Sequence, residues 1–244
     1  MKNCILVIDS GVGGVSVLNQ IRQKYPQYNY IYYADSKFAP YGNKTQQQIS
    51  TRLIDIISKH IKNHHIVLVV VACNTATAMA LTYLDSKFGL PILGIQPDIE
   101  NALKSTKNQV LALATVGTVK HSKVLKNLNS TRIIISPQRN LAKMIDDNLS
   151  NLTAIKVDLQ KILAPYKYKQ IEGVILGCTH YFFIKELITE VLGDVKFFDS
   201  IDNVIKKIDK YLTQQPAEVG VVVVKNSLND TNINALIKKY IKSL

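Results

Sequence analysis

The chain has 244 residues, 47% hydrophobic and 20% charged, enough apolar content to bury a sizeable core, which excludes a disordered tail or a disulfide-stapled miniprotein. Its formal charge is +12, but 26 of its 30 basic residues are lysine; they are scattered, and base and phosphate recognition favours arginine's planar fork, so nucleic-acid binding is a distant alternative. No apolar run approaches the roughly 18 residues of a membrane span, and 4–8 is too short for a signal-peptide core, so a soluble, cytoplasmic protein with no membrane partner is expected.

In chain order, a short continuous apolar run predicts a buried strand over 5–8, followed by helix-compatible stretches at 15–24 and 45–62. A strand at 66–72 and a helix at 76–88 come next, then strands at 110–114 and 133–135 and a helix at 140–148. The pattern closes with a strand at 173–176, a helix at 184–191 and a strand at 219–224. Continuous apolar strands alternating with helices mark an α/β protein with mainly parallel sheets. In such sheets the chemistry sits in the loops after the strands.

Four of those loops are informative. Asp9-Ser10-Gly11-Val12-Gly13-Gly14 follows the first strand, with an acid and a hydroxyl at its end and glycines expected to permit a tight turn into a helix. Cys73-Asn74-Thr75, Thr115-Val116-Gly117-Thr118 and Cys178-Thr179-His180 follow three others. The strand-Cys-Thr pattern occurs twice and the first loop is echoed by the third, a weak internal repeat that suggests two similar halves.

The three cysteines, Cys4, Cys73 and Cys178, are odd in number and far apart, without disulfide or zinc spacing, so free thiols and no metal are expected. Cys4, inside an apolar run, reads as packing. Cys73 and Cys178 sit at strand ends followed by polar residues. Inverting a carbon that bears one exchangeable hydrogen needs a base on one face and an acid on the other, and a thiol of ordinary pKa about 8.5 can serve as either. Asp9 is placed to assist or orient Cys73, and His180 to act on Cys178. Each feature alone has a plainer explanation: Asp9 and Ser10 as a helix cap, His180 as a cap of the following helix, Tyr41-Gly42 as a turn.

Together, Ile8 to Gly14, Ala39-Pro40-Tyr41-Gly42, Val71 to Ala78 and Leu176 to Tyr181 resemble, in order, the cofactor-independent glutamate racemases of the aspartate/glutamate racemase superfamily. Weaker similarity through Leu113 to Lys120 and Phe198-Asp199-Ser200 extends it over nearly the whole chain. The resemblance implies two similar α/β domains facing each other across an active-site cleft. One is 1–97 plus 200–244, with Asp9 and Cys73; the other is 98–199, with Cys178 and His180, and Ser200 near the return crossing. It implies an isomerase that needs neither pyridoxal phosphate nor any other cofactor, interconverts L- and D-glutamate, supplies D-glutamate for peptidoglycan, and forms a homodimer. Cys73 would deprotonate D-glutamate with Asp9 assisting, and Cys178 would deprotonate L-glutamate with His180 assisting. Asp9, Ser10, Tyr41, Gly42, Asn74, Thr75, Thr118, Thr179 and His180 would hold the substrate in a mostly neutral pocket. A related racemase acting on another amino acid, such as aspartate, is the closer alternative.

The chain departs from the family at 136–147, where many members carry a glutamate. This stretch has none. Lys143 lies near its place, and Asp146 or Asp147 would substitute with a shifted register.

Overall fold

The run Cys4–Asp9 forms β1, every residue of which is buried. Its alternate side chains serve two cores: Ile5 and Val7 face one apolar cluster, while Cys4, Leu6 and Ile8 face another. A strand buried on both faces must be apolar throughout, which is why it reads as a continuous run. Cys4 is fully buried and packs as the sequence indicated.

The structure, a computed structural model, describes residues 1–212 and 218–242. From β1 the chain runs through α1 (Val15–Lys24), β2 (Asn29–Ala34), α2 (Gln46–Asn63), β3 (Ile66–Val71), α3 (Asn74–Asp85) and β4 (Ile92–Gly94). It continues through α4 (Ile99–Ser105), β5 (Gln109–Thr115), α5 (Val116–His121), α6 (Lys123–Lys126), β6 (Ile133–Gln138) and α7 (Leu141–Asp147). Then come α8 (Lys156–Leu163), β7 (Ile171–Gly177), α9 (Lys185–Leu192), β8 (Lys196–Phe198), α10 (Ile201–Ile208), β9 (Val222–Asn226) and α11 (Thr231–Tyr240).

The strands make two sheets, ordered β4-β3-β1-β2-β9 and β6-β5-β7-β8, and every pairing is parallel. This is the expected α/β class. The first sheet is completed from the far end of the chain, because β9 pairs with β2. The weak repeat has a structural counterpart: β1 and β5 are each flanked by a strand that a cysteine follows, β3 before Cys73 and β7 before Cys178. The register pairs Ile8 with Val71 and Ala114 with Gly177. Asp9 and Cys73 therefore emerge together from one sheet, as do Thr115 and Cys178 from the other.

Local chemistry fixes several helix starts. Thr45 and Gln48 form a reciprocal capping box at α2, and Thr115, Asp98 and Asp230 cap α5, α4 and α11, each of value about 0.5–2 kcal/mol. Helix α3 starts at Asn74, two residues before the sequence-based expectation, which makes Cys73 its N-cap. Among the described residues, no helix is long and apolar enough to cross a membrane.

Candidate active site

The ends of the two sheets enclose a cavity of about 240 Å³, below the roughly 300–1,000 Å³ of drug-sized sites and suited to a smaller ligand. Cys73 and Cys178 both line it. Each cysteine is the N-cap residue of a helical segment, Cys73 that of α3 and Cys178 that of a 3₁₀ turn over Thr179–Ile184, in neither case with a side-chain cap hydrogen bond. Of the residues anticipated from sequence, Ser10, Tyr41, Gly42, Thr75, Thr179 and His180 share this cavity. Asp9, bonded to Thr179, and Thr118, bonded to Thr75, stand behind this lining, and Asn74 lines a small adjoining pocket with Cys178 and Thr179.

On the first sheet's side, the Ser10 hydroxyl lies 3.7 Å from Cys73 Sγ. Burial pushes the Cys73 thiol up to about 12, with the nearby Asp9 carboxylate adding to the rise. Ionising it in the free protein therefore costs on the order of 4 kcal/mol more than in water. Asp9 is fully buried. Its carboxylate accepts from Gly11 N at 2.8 Å and from the Thr179 hydroxyl at 3.1 Å, so it bridges the two halves. Burial raises it above the ordinary carboxylate value, although His180 opposes this.

Neither Asp9 nor Ser10 caps α1, whose N-cap is Gly14 without a side-chain cap. The first loop makes the expected tight turn into α1 over Ser10 to Gly14, but without left-handed glycine backbone. Among the described residues Gly193 is the one glycine with positive φ; what Gly11 and Gly13 provide is room. A Cβ on Gly13 would lie 2.5 Å from Thr179 Oγ1 and 2.8 Å from the His180 backbone nitrogen, and one on Gly11 would lie 3.1 Å from His180 Nε2. The loop is the seat on which the Cys178 loop rests. Gly13→Ala is therefore expected to cost about 1–3 kcal/mol or more by overpacking and to lower activity by prising Thr179 and His180 away. Gly89→Ala, where a Cβ meets nothing within 4 Å, should shift stability by less than about 0.5 kcal/mol. Urea unfolding of the two variants checks both.

On the second sheet's side, His180 Nδ1 lies 3.7 Å from Cys178 Sγ, close enough for a proton to pass between ring and sulfur. Its Nε2 is 3.0 Å from Asp146 Oδ1. Burial disfavours the imidazolium, but Asp146 and Cys178 outweigh it and hold His180 well above the usual histidine value. Asp147 instead pairs with Lys143 at 2.6 Å, both largely exposed, an arrangement worth little. Between the two acids left open by the sequence, Asp146 is the one at the histidine.

Helix α7 brings Ala142, Lys143, Asp146 and Asp147 to the cavity, so one wall is charged and the expectation of a mostly neutral pocket does not hold there. Ser36, which the sequence does not single out, and Thr115, whose loop it does but with Thr118 as the site residue, also line the cavity. Thr115 joins Thr75 and Thr118 in a triangle of hydroxyls 2.8–3.1 Å apart that spans the two sheets; its signal was its place at the end of β5, opposite Asp9 in the repeat. Among the described residues, no cluster of three or more His, Cys, Asp or Glu is arranged to hold a metal ion.

Residues 5–208 match the model of the Asp/Glu/Hydantoin racemase family. The glutamate racemase of Buchnera aphidicola from Schizaphis graminum is 34% identical over 90% of this chain and 89% of its own. This chain belongs to that family, among its glutamate racemases. The Clostridium acetobutylicum glutamate racemase is also 34% identical, over 95% of this chain and 94% of its own. The Escherichia coli glutamate racemase, solved with L-glutamate and the activator UDP-MurNAc-Ala, superposes with a TM-score of 0.85 at 28% identity, covering 98% of this chain and 96% of that racemase.

Proposed function

We propose that the protein interconverts L- and D-glutamate by two-thiol proton transfer without a cofactor. The observation that carries this reading is that Cys73 and Cys178, from equivalent strand ends of two sheets, line one cavity of amino-acid size. One sulfur takes the α-proton and the other returns a proton to the opposite face, which inverts the centre. From L-glutamate, Cys178, with His180 beside it, takes the proton, and Cys73, held as a thiol by burial, returns one.

The carbanion has no electron sink, so prearranged hydrogen bonds must stabilise it. Ser10, Thr75 and Thr179 supply hydroxyls at the cavity. Asn74 is buried with neither side-chain amide atom bonded to protein, and it adjoins Cys178 and Thr179, so both atoms remain for the substrate's polar groups. Asp9 and Thr118 act from behind the wall, and His180 lies beside the Cys178 sulfur, with Nδ1 at 3.7 Å.

We further infer two domains, 1–97 plus 200–244 and 98–199, whose closure excludes water; 213–217 and 243–244 of the first lie outside the described residues. A cytoplasmic homodimer feeding D-glutamate to peptidoglycan synthesis fits the family. Incubating the protein with L-glutamate in deuterated water tests the function: optical rotation should decay to zero while deuterium enters the α-position. Exchange on L-aspartate with none on glutamate would reassign the substrate, and exchange on neither would overturn the reading.

A further inference from the structure

We propose that Asp35 and Arg52 are positioning residues for this reaction, acting through Tyr41; the proposal rests on the racemase reading only for what the cavity binds. Asp35 follows β2 and is fully buried. Its carboxylate receives a two-pronged contact from Arg52 of α2, Nη2 to Oδ1 at 2.6 Å and Nε to Oδ2 at 2.8 Å. The Tyr41 hydroxyl also donates to Oδ2 at 2.9 Å.

The three residues form a strut between α2 and the cavity wall. At its inner end, Tyr41 lies beside Cys73 in the cavity lining. At its base, the Asp35 N–H donates to the Asp9 carbonyl at 2.8 Å, so the strut is tied to the strand end that carries the first active-site loop. The turn Tyr41–Asn43 in turn abuts the other half of the molecule. A Cβ on Gly117 would lie 3.2 Å from Gly42 Cα, so the turn packs against the start of α5 with no room for a side chain between them.

The chemistry of the strut indicates orientation. A fully buried carboxylate costs several kcal/mol unless paired, and apolar residues of similar volume would hold a loop equally well. What a forked guanidinium and a carboxylate add is direction, since two parallel contacts fix the plane of the carboxylate, and the carboxylate then fixes where the phenol oxygen points. Burial, followed by the neighbouring Asp35, holds the Tyr41 phenol well above its ordinary value. The phenol therefore keeps its proton, which it donates to the Asp35 carboxylate, and the ring presents a neutral face toward Cys73. Arg52 touches neither thiol, so its influence passes through Asp35.

The test uses Arg52→Lys, which keeps the charge and loses the fork, Tyr41→Phe, which removes one oxygen, and the double variant. Two readouts are taken: KM for L-glutamate, and the rate at which iodoacetamide alkylates Cys73, followed by peptide mapping. Each single variant is expected to raise KM about 10-fold with kcat changed less than about 3-fold, or to raise the alkylation rate about as much through the loosened wall. The double variant should be no worse than the worse single one, because both act on one strut. A rise in either readout without a further rise in the double variant supports the proposal. An Arg52→Lys protein that matches the wild type in both, or rises that multiply in the double variant, overturns it. Should Arg52→Lys fail to fold, Tyr41→Phe decides alone by the same two readouts. If the wild type turns over no glutamate, the racemase reading fails, while the alkylation rates still judge the strut.

Discussion

Replacing either Cys73 or Cys178 by serine is expected to lower racemisation in both directions by about 10²–10⁴-fold, the contribution of a positioned acid or base. Loss in both directions is the informative part, because each thiol is the base in one direction and the acid in the other. A serine hydroxyl fits either space but gives up a proton far less readily than a thiol. The two variants should differ in alkylation. In Cys178→Ser, Cys73 remains a thiol at neutral pH, and its rate of reaction with iodoacetamide should rise with pH toward about 12, since only the thiolate reacts. Initial rates from each enantiomer, with alkylation mapped by peptide across pH, check this. A Cys73→Ser protein with full turnover would falsify the assignment.

The parts of the fold legible in the sequence were those buried on both sides. Strands β1, β3, β5 and β7 read as unbroken apolar runs, and α1 and α2 as the helix-compatible stretches between them. Strand β2 was missed because its sequence, Asn29 to Ala34, mixes tyrosines with an asparagine; it carries hydroxyls that reach out of the core, as Tyr32 does to the Gly11 carbonyl. Strands β4 and β8 have three residues each, too few for any periodicity. The last strand was expected at 219–224 and lies at Val222–Asn226. Pairing with β2, which sets Tyr30 against Val222, decided the register, and Val219 and Val221 are left exposed. Helices α4, α5, α6, α8, α10 and α11 were also absent from the sequence reading. Several are short, and their apolar faces acquire meaning only once the sheet they cover is known.

The site was legible where one side chain carries the chemistry and obscure where the backbone or a distant helix does. The cysteines, Asp9 and His180 announce themselves by type and by their place after a strand. Gly13 did not, because the sequence shows that a glycine is present but not that Thr179 rests on it. Asp146 was one of two adjacent acids, and the register of α7 chooses between them. Leu141 and Ile145 are buried and fix which stripe of the helix faces inward. Asp146 lies next to that stripe and reaches His180, while Asp147, a further step round, meets Lys143 one turn back.

Asp146→Asn should therefore have the second large effect, by altering His180. In the wild type burial opposes the imidazolium, and Asp146 together with Cys178 overcomes it. Removing the carboxylate's charge leaves burial opposed by the thiol side alone, so the His180 value must fall. In histidine NMR titrations, wild-type His180 should titrate well above His60, His64 and His121, which burial holds below the ordinary value, and in the variant it should move toward them. Turnover of L-glutamate should drop about 10²-fold, and its pH profile should shift to lower pH, following the histidine. The effect on stability has a definite sign. A histidine whose folded value is raised contributes stability that is fully present below about pH 6.5 and is lost as pH rises through the folded value. The wild type should thus exceed Asp146→Asn in urea midpoint most clearly near pH 6, with the gap narrowing as the solution is made alkaline. Identical His180 titrations in the two proteins would show that Asp146 does not govern the ring, and Asp147→Asn, whose partner is the exposed Lys143, should leave both the titration and the gap unchanged.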